Sequence, residues 1–372
     1  QGFFNVYNGS NTAYMLTAGA NVGLVTAVTE DAVIDRNAAV STGLVADINS
    51  FITKNRDDYN MKDSEGEYNS ADSDTIYIAK YPGLIGNSLK VSVCDSATAY
   101  ESTIPVGSSN TYVNTSISDF QIAVGANTAT IRIGFAQTGN TVHRGQTNTE
   151  ITTIINELTV GDVIAIGNST IGKQLNQITD VGALTVNSTH SYVTISFEDQ
   201  YGLSTDYTGD SFDRTWEYHS SVEKTIGTSQ FVAAQGNTAA NDEIHVVVVD
   251  EDGLVSGTPG TILEVFQSLS RASNAMSPDG ASIYYKDVIN HNSQYIWWTA
   301  DRSNASSNVA LTITSSTNTK PFSGSFVGGT DGKNETTCGI NILTQAYDLF
   351  ASAEEVDVSL ILQGKARGTE ND

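Results

Sequence analysis

The chain has 372 residues, 39% of them hydrophobic, with 16 Tyr and 12 Phe, which is enough apolar material for real cores and excludes a wholly disordered chain. Its 42 acidic and 18 basic residues give a formal charge of −24. A polyanion repels phosphate backbones and anionic headgroups, so neither nucleic acid nor membrane is expected as a direct ligand.

The length fits two or three domains. Five Pro against 32 Gly, with abundant Thr and Val, favours strands joined by turns. Gln1-Gly2-Phe3-Phe4 shows no signal peptide, and a start without Met suggests a processed or trimmed chain. In chain order, Val22 to Val28 reads as a strand. Leu44 to Lys54 has helical spacing, with Val45, Ile48, Phe51 and Ile52 on one face. Arg56 to Asp74 is polar and mostly acidic and reads as an exposed loop; its spacing does not match an EF-hand calcium site. Ile76 to Val93 reads strand, turn, strand, with Pro82, Gly83, Gly86 and Asn87 supplying the turn chemistry.

From about Thr103 to Ala240 short strands recur: Phe120 to Val124, Thr128 to Phe135, Asp162 to Ile166 and Tyr192 to Phe197. One helix is expected between Thr149 and Leu158, where Ile151, Ile154, Ile155 and Leu158 share a face. This texture suggests an inserted small barrel or sandwich. Ile244 to Val249 is nearly all β-branched and should be a central, buried strand. It is far too short to span a bilayer. Asp250-Glu251-Asp252-Gly253 makes a turn. Thr261 to Leu269 fits either a helix or a hairpin partner to the preceding strand. A short helix around Ile283 to Asn290 and a strand from Tyr295 to Thr299 follow. Asn341 to Ala351 carries a clear helical stripe, and Val356, Val358 and Leu360 alternate as a strand.

The search for a reaction centre assigns no catalytic, cofactor-binding or metal-ligating residue, and an enzyme is not expected. No G-x-S-x-G elbow, Walker A loop, G-x-G-x-x-G fingerprint or H-E-x-x-H helix is present. His143, His190, His219, His245 and His291 are scattered without ligand spacing, so each reads as an ordinary surface or packed residue. Cys94 and Cys338 lie far apart and read as two free thiols. Trp297 and Trp298 could form a sugar platform, but within a strand at least one must face inward. The glycine-rich run from Phe322 to Gly329 reads as a loop that lets another backbone approach closely.

Four strings resemble the contractile tail sheath proteins of bacteriophages, the myovirus tail sheath family. IYIAKYPGLIGNSLKVSV looks like that family's K-Y-P-G-x-x-G-N-x-L-x-V segment. IHVVVVDEDGLVSGTPGTILEVFQSLS is similar to a later strand–turn–strand, including the pattern matched by Leu263-Glu264-Val265-Phe266-Gln267-Ser268-Leu269-Ser270. DGASIYYKDVINHNSQYIWW and AYDLFASAEEVDVSLILQG resemble two further helix–strand units, and all four occur in the family's order. The resemblance covers roughly Ile76 to Ser96 and Asp242 to Gly364.

The resemblance implies a structural subunit that assembles helically around the tail tube and rearranges on contraction to drive the tube into the host, with no cofactor. It implies an α+β, β-rich fold. A discontinuous α/β sheath domain, with sheets and flanking helices, would be formed by 56–104 plus 241–372. A mainly β barrel or sandwich would be inserted at 105–240, and 1–55 would form a β-rich segment of a small protruding domain. Implied partners are other sheath subunits in stacked hexameric rings, the tail tube protein, and baseplate and tail-terminator proteins. The implied locations are the virion tail and, during assembly, the host cytoplasm. Family members continue past this point into a C-terminal core domain and carry terminal arms that join subunits. The present chain is therefore expected to be a fragment that is monomeric alone. Two alternatives come from other classes: a β-rich carbohydrate-binding or adhesive surface module, and a hydrolase using paired carboxylates.

Overall fold

The computed structural model describes residues 36–37, 40–41, 56–65, 76–80, 83–105, 120–124, 128–138, 141–142, 148–168, 172–186, 190–198 and 211–331. The first elements are β1 (Arg36–Asn37), β2 (Val40–Ser41), α1 (Arg56–Glu65), β3 (Tyr77–Ala79), β4 (Leu89–Cys94) and α2 (Ala97–Tyr100). The middle of the chain forms β5 (Glu101–Pro105), β6 (Phe120–Val124), β7 (Thr128–Thr138), β8 (Thr141–Val142), α3 (Asn148–Glu157) and β9 (Val163–Asn168). It continues with β10 (Gly172–Val181), β11 (Thr185–Val186), β12 (His190–Glu198) and β13 (Ser211–Thr215). The last described part holds α4 (Gln230–Ala234), β14 (Glu243–Asp250), β15 (Thr261–Ser270), α5 (Tyr285–Asn292), β16 (Ile296–Trp298), β17 (Phe322–Val327) and β18 (Thr330–Asp331). The fold is mixed helix and sheet, and strand-rich.

Two large antiparallel sheets dominate. One runs β15-β14-β4-β17-β2-β3-β16. Every residue of β14 is buried, because both faces of that sheet are covered. Ile244, Val246 and Val248 face a core shared with Leu89, Val91, Val93, Tyr77, Tyr285, Ile289 and Trp298. Val247 and Val249 face a second core with Cys94, Ala99, Trp216, Tyr218 and Ile226. Burial on both faces removes the usual polar alternation and explains the unbroken β-branched run. Thr261 to Leu269, compatible with either helix or strand, is settled as strand by its antiparallel pairing with β14.

The other sheet follows the path β5-β13-β9-β10-β12-β7-β6, with β8 and β11 on its margin. Its core gathers Ile104, Ile154, Leu158, Ile164, Ile178, Val193, Ile195, Phe197 and Phe212. The expected strands and the expected helix fall within β6, β7, β9, β12 and α3, apart from Asp162 and Leu158 at two element ends. The barrel is corrected: among the described residues no pairing joins β5 to β6, so the sheet stays open. Closure needs both edges free to meet. The β5 edge begins directly at the end of α2 and is tethered there, since the Trp216 N–H donates to Tyr100 O at 2.8 Å.

Three further expectations change or are sharpened. Within the stretch read as an acidic loop, Arg56–Glu65 is helix α1. Its buried Tyr59 stacks on Trp297 with ring centroids 4.6 Å apart and donates its hydroxyl to Trp298 O, a tertiary contact that polarity counting does not register. The run from Phe322 is strand β17, paired with β4 and β2; Phe322, Gly324 and Phe326 point inward in alternation. Within the turn expected before β4, Leu84–Ser88 forms a 3₁₀ turn, with Gly83 at φ 131. The strands it links are not neighbours: β17 and β2 lie between β4 and β3. The strand at Val22 to Val28, the helices at Leu44 to Lys54 and Asn341 to Ala351, and the strand after Glu355 lie outside the described residues.

Candidate functional site

The chemically distinctive groups lie where connecting segments dock onto the two sheets. At the start of β14, Asp242 accepts from the Ser229 N–H at 2.8 Å, from the Ser229 hydroxyl at 2.7 Å and from the Ser270 hydroxyl. At its end, Asp250 accepts from the Ser88 hydroxyl and the N–H groups of Gly253, Val255 and Ser256, plus the Ser256 hydroxyl. Burial alone would raise that carboxyl, but the hydrogen bonds outweigh it and hold the group below its usual range. These two carboxylates fix the β14 ends; their acceptor sites are filled by chain groups.

A cleft of about 730 Å³ opens between residues of α3, the segment that follows it and the segment before β17. Leu158, Val160 and Val181 form an apolar wall, and Asp301, Arg302 and Lys320 contribute charge. Arg302 pairs with buried Asp95 at 2.9 Å and donates to Lys320 O. Asp301 accepts from the Tyr285 hydroxyl and from the N–H and hydroxyl of Ser307. Burial, then the adjacent Arg302 cation, lowers the Lys320 ammonium. Under the cleft, Asp162 is only 1% exposed. One of its oxygens accepts the Thr159 N–H at 3.0 Å and lies 3.7 Å from Arg214; the other has no partner. Burial pushes this carboxyl up to about 7, with Arg214 and the Thr159 N–H pulling it part of the way back. Arg214, itself buried, donates to the carbonyls of Thr98, Ala99 and Thr319. It therefore ties β13 to α2 and to the segment before β17.

The groups singled out in the sequence do not converge. His219 and His291 bond backbone carbonyls one helical turn away, His245 is buried inside β14, and neither His143 nor the side chain of His190 is among the described features. Cys94 is free and buried, and burial raises its thiol far above the ordinary range; Cys338 lies outside the described residues. Trp297 and Trp298 are 5% and 3% exposed. Tyr59 and Lys80 cover the first ring, and Lys286 sits 4.0 Å over the second. Neither can serve as an open sugar platform. Among the described residues no group of three or more His, Cys, Asp or Glu could hold a metal ion, and no helix is long and apolar enough to cross a membrane. Arg214 and Lys320 carried no sequence signal beyond their type. Only Asp162, a charge heading a β-branched run, hinted at a buried role.

The chain thus belongs structurally to the mixed, strand-rich proteins with several antiparallel sheets. No protein-family model matches it, and neither a curated protein nor a solved structure does.

Proposed function

We propose that the chain is a structural subunit of a contractile phage tail sheath, which assembles with further copies in stacked hexameric rings around a tail tube. One observation carries the reading. Three of the four strings that resemble sheath proteins, far apart in sequence, meet in one sheet and one core. Ile76 to Val93 supplies β3 and β4, Ile244 to Ser270 supplies β14 and β15, and Asp279 to Trp298 supplies α5 and β16. Their side chains interleave in the core around Val91, Val246, Ile289 and Trp298. A resemblance arising by chance has no reason to select segments that fold together.

In this reading the seven-stranded sheet is the centre of the discontinuous sheath domain, and the strands between β5 and β13 form a β-rich insertion on the outside of the tail. No turnover chemistry is required, since contraction draws on packing energy stored at assembly. The subunit resides in the virion tail after assembling in the host cytoplasm, and contacts the tube, baseplate and tail terminator. The carbohydrate-binding alternative loses its named anchors, because Trp297 and Trp298 are buried.

The test is negative-stain electron microscopy of the full reading frame, expressed alone and with a tail tube. Hollow striated tubes or stacked rings are the expected result. Dispersed particles under both conditions, in low and in high salt, would sink the assignment. The chain by itself should sediment as a monomer.

A further inference from the structure

His245 sits in the middle of the structure with both ring nitrogens committed. Nε2 lies 2.8 Å from Lys224 O, and Nδ1 lies 2.9 Å from the backbone nitrogen of Ser268. A carbonyl can only accept and a backbone N–H can only donate. The tautomer is therefore fixed: Nε2 carries the proton and Nδ1 offers its lone pair. The ring cannot turn to exchange these roles, because it stacks on Trp216 at 6.2 Å and 11° and meets the Tyr100 ring edge-on.

The acceptor bond lands on a special place. Ile244 pairs with Leu269 and Val246 with Phe266, so the single residue His245 faces two residues, Gln267 and Ser268, in a β-bulge. Ser268 adopts φ 53 there, in the left-handed region that a non-glycine residue disfavours. Among the described residues strand β15 is the edge of its sheet. The Nδ1 bond is thus the contact that offsets the strained residue of an edge strand.

We propose that His245 is a pH-responsive latch on edge strand β15: a proton taken up at Nδ1 removes the acceptor for Ser268 N–H and frees the bulge. The resulting imidazolium has two donors facing one acceptor and one donor, so one hydrogen bond is lost and a like-polarity contact replaces it. The titratable and charged groups around the ring are Glu243 on its own strand, Lys224 on the segment after β13, Cys94 on β4 and Tyr100 at the end of α2. Lys224 and Glu243 pair with each other at 2.6 Å, so their fields largely cancel at the ring. Burial dominates and lowers the histidine below its ordinary value. The neutral ring therefore stabilises the fold fully above about pH 6.5, the unfolded value, and that stability is lost as pH falls through the lower folded value.

The test is site-resolved hydrogen exchange of the intact chain between about pH 7.5 and pH 5, corrected for intrinsic exchange, beside imidazole nitrogen shifts from the same samples. The Ser268 amide should lose protection by about tenfold or more, while Val247, paired between β4 and β15, stays protected. The nitrogen shifts should report Nε2–H above the transition. His245→Asn, which can accept from Ser268 but cannot charge, should abolish the pH dependence. If that variant fails to fold, the wild-type shifts still decide the matter. The opposite tautomer, a Ser268 amide equally protected at both pH values, or an unchanged pH dependence in His245→Asn would each overturn the latch.

Discussion

At the scale of single residues, buried polar groups divide into satisfied and unsatisfied ones, and the difference sets what acid and base do. Asp250 and Asp242 have filled acceptor sites, whereas Asp162 keeps one oxygen without a partner. The Asp162 pKa is raised to about 7. A carboxyl raised on folding contributes stability that is fully present below its unfolded value, about 4, and is lost as pH rises through the folded value. Denaturant titrations should therefore show a component that weakens between about pH 4 and about pH 7 and disappears in Asp162→Asn. This slope is opposite to that from His245, so the two single variants should bend the pH–stability curve in opposite senses. Tyr59 offers a simpler case. Its ring is 3% exposed, stacks on Trp297 and bonds Trp298 O. Tyr59→Ala should cost about 3–5 kcal/mol, read as a lowered urea midpoint. Tyr59→Phe, which keeps the ring, should cost about 1–2 kcal/mol.

At the scale of elements, turn chemistry and strand pairing decide what packs beside what. The β14–β15 hairpin depends on Gly253, at φ 79, where an added Cβ would lie 2.7 Å from Pro259 N. Both the backbone angle and the close approach exclude a side chain. Gly253→Ala should destabilise by about 2 kcal/mol or more, whereas Gly257→Ala, with open space around it, should cost only the left-handed penalty of about 1 kcal/mol. A thermal melt of the two variants side by side checks the difference. Helix α1 shows the limit of composition at this scale. Its sequence is charged and has one inward anchor, and it is held by Tyr59 and by the Lys286–Asp63 pair at 3.3 Å rather than by an apolar stripe. Strand β17 shows the complementary case, since its glycines signal a loop until Phe322 and Phe326 find the core beside β4.

At the scale of the whole molecule, charge is the dominant unbalanced quantity. The chain carries −24 formally, and such self-repulsion destabilises a compact state, less so as salt shortens the Debye length. Raising sodium chloride from about 20 to about 500 mM should raise the melting temperature by several degrees, since screening relieves repulsion. An unchanged or falling melting temperature would mean that the specific pairs, such as Arg302–Asp95 and Lys224–Glu243, outweigh the net field. The same repulsion opposes association of free copies. Assembly as a sheath would then need contacts or counterions that offset it.

Periodicity and side-chain chemistry were enough to locate β3, β4, β6, β7, β9, β12, β14 and β16 and both eight-residue-or-longer helices of the middle and later chain, because alternation and helical stripes are local properties. The sequence by itself also determined that β14 is a doubly covered central strand, since only burial on both faces tolerates so many successive β-branched residues. Strand order, the open edge of the nine-stranded sheet and the identity of α1 and β17 were decided by tertiary structure alone. So were the buried Asp162–Arg214 contact and the His245–Ser268 bond. Each depends on residues brought together from distant parts of the chain, 23 apart for His245 and Ser268 and 239 apart for Tyr59 and Trp298. A local pattern records which face a residue prefers; it carries no information about which distant partner that face will meet.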